Sequence, residues 1–155
     1  MTFDIPGNKQ LIIEHVVLDY NGTIAIDGRI ISGVKERINE LSEQLDFHVL
    51  TADTFGSVRQ ELSQVNCQVV IIGEENQDES KRAFVEQLGA QNTLSAGNGR
   101  NDALMLKEAA LGIGILQNEG LNKEAMLAAD IICLSIMDVF DFLKKPKRLI
   151  ATLRN

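Results

Sequence analysis

Short apolar, β-branched runs alternate along the chain with stretches whose apolar residues recur every three or four positions. Those two periods mark strands and helices respectively. Leu11 to Leu18 predicts a first strand that ends at Asp19. Ile24, Ile26 and Ile30-Ile31 then flank Asp27-Gly28, a small hairpin. Ser32 is placed to cap a helix carrying Val34, Ile38, Leu41 and Leu45. Phe47 to Leu50 predicts a second strand running into Thr51, and Phe55, Val58, Leu62 and Val65 predict the helix behind it. Cys67 to Ile72 predicts a third strand, stopped by Gly73.

The second half repeats the alternation. A helix is predicted over about Gln77 to Leu88, with Lys81 near its start and Gly89 ending it. Thr93 to Ser95 makes a short fourth strand before the loop Gly97 to Asp102. A helix through Leu104 to Ala110, a strand through Leu111 to Leu116, a helix around Lys123 to Ala128 and a strand Ile131 to Leu134 follow. The last helix, Met137 to Leu143, continues or restarts after Pro146. Such alternation predicts an α/β fold whose parallel sheet is covered by helices on both faces. No repeat, low-complexity tract or linker divides it, so a single domain is expected over 1–155.

Composition narrows the function classes. Fifteen Lys and Arg against 22 Asp and Glu leave a net charge of −7, which argues against nucleic acid or a membrane surface as partner. No apolar run approaches the roughly 18 residues of a membrane span, and Met1 to Lys9 lacks signal-peptide order. A soluble, cytoplasmic protein is expected. Cys67 and Cys133 read as buried thiols, and His15 and His48, each alone in a strand-like segment, as packing residues.

The polar residues that interrupt the pattern fall at the carboxyl ends of strands, where open α/β sheets bind ligands. Asp19 follows strand one, Thr51 strand two and the Gly97–Asp102 loop strand four, while Lys81 opens the helix after strand three. An acid, a hydroxyl, an ammonium and a glycine-rich acidic loop together suit a phosphoryl group and a metal. Singly, each has a plainer reading. Asp19 and Thr51 could cap helices, Lys81 could lie on the surface, and Gly97-Asn98-Gly99 could be a tight turn.

In combination they resemble the haloacid dehalogenase superfamily. Its first motif, Asp-x-Asp-Gly-Thr after a strand, is matched by Asp19-Tyr20-Asn21-Gly22-Thr23 at all but one position. Val49-Leu50-Thr51 matches the second motif and Lys81 the third. Gly97-Asn98-Gly99-Arg100-Asn101-Asp102 matches the fourth, Gly-Asp-Gly-x-Asn-Asp, with Asn98 where Asp is usual. Within the superfamily the chain most resembles the phosphorylation domain of P-type ATPases, which also carry a residue other than Asp two places after the nucleophile. A response-regulator receiver fits poorly, because Gly73 rather than Asp follows the third strand.

The resemblance implies a three-layer, Rossmann-like fold without a cap domain, and a Mg²⁺-dependent phosphatase. Asp19 would accept the phosphoryl group as an aspartyl-phosphate. Asp19, the Asn21 carbonyl, Asn98 and Asp102 would surround Mg²⁺, and Thr51 and Lys81, with the Gly22 and Thr23 amides, would hold phosphate. Asn21 stands where phosphatases of the superfamily carry the Asp that acts as general acid and base, so turnover is expected to be slow. The alternative is a weakly catalytic phosphate-binding or regulatory domain acting through a partner. An uncapped site implies a phosphorylated small molecule closed in by a homo-oligomer neighbour, or a macromolecular substrate.

Overall fold

The computed structural model describes residues 1–7, 10–53 and 56–155; Phe55, expected in the second helix, lies outside them. In chain order the strands are β1 (Thr2–Phe3), β2 (Leu11–Ile12), β3 (His15–Asp19), β4 (Ala25–Ile26), β5 (Arg29–Ile30), β6 (Asp46–Thr51), β7 (Gln68–Ile71), β8 (Thr93–Gly97), β9 (Leu111–Ile115) and β10 (Ile131–Cys133). The α-helices are α1 (Val34–Leu41), α2 (Ser57–Glu61), α3 (Gln77–Leu88), α4 (Ala103–Glu108), α5 (Lys123–Ala128), α6 (Ile136–Lys144) and α7 (Pro146–Leu153). Six strands form one sheet in the order β10-β9-β8-β3-β6-β7, and every neighbouring pair is parallel.

Both faces of this sheet are buried, which explains why its strands read as continuous apolar runs. Val16 and Leu18 of β3 point into one layer, with Val34 and Ile38 of α1, Phe140 of α6 and Leu149 of α7. Val17, between them, points into the other, with Leu50, Val85 of α3 and Met105 of α4. The result is the three-layer α/β arrangement of the sequence reading, with a wholly parallel central sheet.

The chain starts this sheet at its centre. From β3 it builds outward through β6 to β7, then crosses back to lay β8 on the other side of β3 and continues to β9 and β10. The direction of winding reverses beside β3, which opens a crevice at the carboxyl ends of β3 and β8. Between β3 and α1 lies the β4–β5 hairpin, whose Asp27-Gly28 turn has both φ angles positive (50° and 73°). Between α3 and β8 lies one 3₁₀ turn, Ala90–Asn92. Neither insertion covers the crevice.

Two local expectations are corrected. The single strand Leu11–Leu18 is two: Leu11–Ile12 pairs antiparallel with Thr2–Phe3, and the central strand starts only at His15. At the break the Ile13 N–H donates to the Met1 carbonyl and the Glu14 N–H to the Asn92 carbonyl, both at 2.8 Å. Ile13 stays buried throughout, so hydropathy carries no mark of the change of partner. Ser32 does not cap α1; Gly33 precedes the helix in a left-handed conformation, φ 88°, without a side-chain cap.

Cys133 is buried and Cys67 half-buried, and burial pushes their thiols up to about 12 and about 11, leaving both inert at neutral pH. His48 is buried, edge-on to Phe84, with Nε2 3.4 Å from His15 Nδ1. Among the described residues no helix is long and apolar enough to cross a membrane.

Phe140 anchors the α6 layer, its ring centroid 6.4 Å from that of Phe47. Phe140→Ala should cost roughly 3–5 kcal/mol, read from the urea midpoint at unchanged slope. A loss under about 1 kcal/mol would mean that this layer is not close-packed.

Candidate active site

Four elements deliver the polar residues to the crevice. β3 ends at Asp19 and β6 at Thr51, and parallel pairing brings these two ends side by side. β8 ends at Gly97 and releases the loop that carries Asn98 and Asp102. Lys81 lies one turn into α3 and reaches back under the strand ends. Its Nζ lies 2.6 Å from Asp19 Oδ1 and 2.7 Å from Asp102 Oδ1. Lys81 is 2% exposed, Asp102 0% and Asp19 9%, so the triad is almost dry.

Charge defines what this triad can do. Two carboxylates around one ammonium leave a net −1 in a low-dielectric setting. Burial alone would push the Lys81 ammonium down, but its two carboxylate neighbours outweigh that and hold it above its ordinary value. Burial, reinforced by the Asp102 charge, pushes Asp19 up from 3.8 to about 7, against the pull of Lys81 and of the Thr23 hydroxyl. A second cation beside Asp19 would relieve that excess negative charge.

The surrounding loops fix the donors. Both the Asn98 and Gly99 N–H groups donate to Asp102 Oδ2, at 3.0 and 2.8 Å, so Asp102 braces its own loop as well as Lys81. A Cβ on Gly97 would lie 2.5 Å from the Asp102 carboxyl, which makes glycine necessary there. Gly22 is in the left-handed region at φ 78°, and a Cβ would fall 2.3–2.6 Å from the Asn98 amide atoms. Asn98 Nδ2 donates to the Gly120 carbonyl at 3.0 Å, which turns the amide oxygen inward. The Thr23 hydroxyl sits between the two halves, 3.3 Å from Asp19 Oδ2 and 3.4 Å from Asn98 Oδ1.

Asp19, Asn21, Thr51, Lys81 and Asn98 line one cavity of about 250 Å³. Asp102 sits behind it, with both oxygens engaged by Lys81 and the loop amides. The Gly22 and Thr23 amides are used inside their own turn, donating to the Ala25 carbonyl (2.8 Å) and the Tyr20 carbonyl (3.3 Å). Thr51 Oγ accepts from the Asp53 N–H at 3.1 Å, leaving its proton available to donate. At the mouth, Asn101 Nδ2 donates to Gln77 Oε1 at 2.7 Å. Asn101 belongs to the fourth motif, whereas Gln77 enters the sequence reading only as the start of a helix. Gln117, outside every motif, donates to the Gly22 and Thr23 carbonyls.

Comparison with known proteins places this geometry. No protein-family model matches the chain. An uncharacterized protein of Methanocaldococcus jannaschii is 38% identical over 80 residues, which are 49% of this chain and 86% of that relative. A soluble P-type ATPase-like phosphatase of the same organism is 28% identical over 138 residues, 87% of this chain. The chain spans 50% of that second relative's length. Among solved structures, the 3-deoxy-D-manno-octulosonate 8-phosphate phosphatase of Moraxella catarrhalis, in complex with magnesium, phosphate and its KDO molecule, shares the fold. The TM-score is 0.67 over 92% of this chain and 94% of that one, at 15% identity. The chain has the fold of that phosphatase and is similar over most of its length to a soluble P-type ATPase-like phosphatase. The four segments that resemble haloacid dehalogenase motifs meet at one crevice, with Asn21 and Asn98 at two positions where those motifs usually carry Asp.

The donor set fits a hard divalent cation. Asp19 Oδ2, the inward Asn98 Oδ1 and backbone carbonyl oxygen are all oxygen donors of the type Mg²⁺ takes, beside an uncompensated negative charge. Among the described residues no group of three His, Cys, Asp or Glu could hold a metal, so a cation here would draw on the Asn98 amide oxygen as well as on carboxylate.

The raised Asp19 value gives a pH test in metal-free buffer. Between about pH 4 and pH 7 the folded chain keeps a proton on Asp19 that the unfolded chain has released, so stability falls as pH rises through that window. Asp19→Asn should therefore melt higher than the native protein at pH 8, with the gap closing toward pH 4. Parallel pH profiles for the two would show that Asp19 titrates near its ordinary value.

Proposed function

We propose that this chain is a Mg²⁺-dependent phosphohydrolase working through an aspartyl-phosphate on Asp19, slowly. The observation that carries the reading is the Lys81 ammonium held 2.6 Å from Asp19 and 2.7 Å from Asp102, beside Thr51, in a cavity of about 250 Å³. Drug-sized ligands occupy pockets of about 300–1,000 Å³. This cavity suits a phosphoryl group alone, with the rest of the substrate outside.

In that reading an Asp19 carboxylate oxygen attacks phosphorus as the bond to the leaving oxygen breaks, and the leaving group departs with the bonding electrons. Lys81 Nζ and the Thr51 hydroxyl neutralise charge on the transferring oxygens. Thr23 and Lys81 orient the attacking carboxylate. Asp19, the Asn21 carbonyl and Asn98 would hold Mg²⁺, with Asp102 acting behind them through Lys81 and water. The cation, when bound, supplies the charge compensation that lets an anionic carboxylate approach an anionic phosphate. The Gly22 and Thr23 amides, already bonded within their turn, leave phosphate contacts to Thr51 and Lys81.

Asn21 is exposed at the mouth, where a leaving oxygen would need a proton. An amide cannot supply one. General acid–base catalysis contributes about 10²–10⁴-fold, so poor leaving groups should suffer most, and a water attacking the aspartyl-phosphate lacks a base. Two Asp-to-Asn departures at one site also favour a second reading, a regulatory domain whose aspartyl-phosphate is long-lived and read by a partner. The open mouth leaves the substrate a phosphorylated small molecule, enclosed by a second copy of the chain, or a phosphorylated macromolecule.

The test is turnover and intact protein mass with Mg²⁺ and either acetyl phosphate or p-nitrophenyl phosphate. Repeated turnover, lost with EDTA and in Asp19→Asn, is expected, faster on acetyl phosphate. A stable phosphate adduct without turnover would select the regulatory reading, and neither signal would end both. Asn21→Asp should raise p-nitrophenyl phosphate hydrolysis by about tenfold or more. No gain would mean that the missing acid is not what limits the rate.

A further inference from the structure

The loop after β9 touches both sides of the crevice. Gln117 Nε2 donates to the Gly22 carbonyl at 3.0 Å and the Thr23 carbonyl at 2.6 Å, while its Oε1 accepts from the Ile136 N–H at 3.3 Å, at the start of α6. With both amide protons and the oxygen engaged, the orientation of this side chain is determined. Three residues on, the Gly120 carbonyl accepts Asn98 Nδ2, and the Asn122 N–H donates to the Asn98 carbonyl at 2.8 Å. One loop thus holds the turn after Asp19 from one side and Asn98 from the other. The Thr23 hydroxyl, whose backbone Gln117 grips, is what bridges Asp19 and Asn98.

We infer that Gln117 is a positioning residue of the phosphoryl-transfer site, setting metal affinity and transfer rate by fixing the Asn21–Thr23 turn against Asn98. This rests on the phosphohydrolase reading. Gln117 itself does not line the cavity and touches no reacting atom; it acts through two backbone carbonyls. The turn's internal bonds, from the Gly22 N–H to the Ala25 carbonyl and from the Thr23 N–H to the Tyr20 carbonyl, set its shape, while Gln117 ties its outward carbonyls to the rest of the fold. Gly22 brings no side chain of its own, and its left-handed backbone is close enough to the Asn98 amide that even a Cβ is excluded. Without Gln117 the two carbonyls lose their donors and the turn can shift by the few tenths of an ångström that separate a good ligand arrangement from a poor one.

Two variants test this. Gln117→Met keeps the length and removes every hydrogen bond; Gln117→Glu keeps the acceptor for Ile136 but loses both donors. Mn²⁺ is the probe, with its binding followed by electron paramagnetic resonance of the free ion, alongside kcat and KM for acetyl phosphate. Both variants should bind Mn²⁺ roughly tenfold more weakly, as loss of supporting hydrogen bonds around a metal site typically does, and lose kcat more than they change KM. The Glu variant is the sharper, because its added negative charge would by Coulomb attraction tighten cation binding. Phe3→Ala, destabilised in the core at β1 and part of neither this loop nor α6, should keep the native Mn²⁺ affinity, which separates positioning from general loss of stability.

Native affinity and kcat in both variants would overturn the role of Gln117 while leaving the phosphohydrolase reading intact. A native protein that neither binds Mn²⁺ nor turns over would end that reading and this one with it. Should neither variant fold, the Gln117 side-chain amide protons in the native protein decide by nitrogen-15 NMR. Two distinct, exchange-protected protons support the grip on both carbonyls, and a rapidly exchanging pair overturns it.

Discussion

Lys81 sits where two carboxylates would otherwise face each other with almost no water between them. The rest of the site is arranged around that ammonium. Asp19 arrives from the central strand, Asp102 from the loop after β8, and each gives Lys81 one oxygen. Asp102 spends its other oxygen on two backbone amides of its own loop. A buried cluster of this kind contributes little net stability, yet loss of its one cation would leave two carboxylates uncompensated at a cost of several kcal/mol. Its value lies in specification. One cation for two anions holds both carboxylates in place and leaves the cluster one charge short of neutral.

That shortfall connects electrostatics to chemistry. Asp19 carries a raised affinity for protons in the metal-free chain because burial and Asp102 outweigh Lys81 and Thr23. In the proposed reaction the same imbalance would favour a divalent cation over a proton, and a carboxylate beside a cation would be in the ionised form that attack requires. Asn98 tempers this arrangement. An Asp there would add a further negative charge to the site, whereas the amide contributes an oxygen, oriented by Gly120, without that charge.

Much of this was legible in the sequence because strand ends are marked by abrupt changes of polarity. Asp19, Thr51 and Asn98 each follow an apolar run that the sheet buries on both faces, and the structure lines one cavity with them together with Lys81 from α3. Other features leave no such mark. The break between Leu11–Ile12 and His15 changes hydrogen-bond partners without changing burial, so an apolar run conceals it. The Gly22 and Thr23 amides look available in the motif but are consumed by the turn's own carbonyls, a matter of backbone direction that residue types do not carry. Gln117 acts on residues about 95 positions away, and a lone polar residue after a strand says nothing of what it will meet.

The central placement of β3 also bears on how the molecule comes to be made. Its partners lie on opposite sides of it in the sheet and both follow it in the chain, β6 a single helix later and β8 well beyond the next two helices. Pairings between distant segments close late, because the loop entropy must be met before the contacts can compensate it. During synthesis Asp19 therefore emerges well before β8 and acquires its surroundings late. Until β8 docks, its strand has one open edge and Asp102 is absent. A nascent or truncated chain ending before Thr93 would carry Asp19 and Lys81 without Asn98 or Asp102.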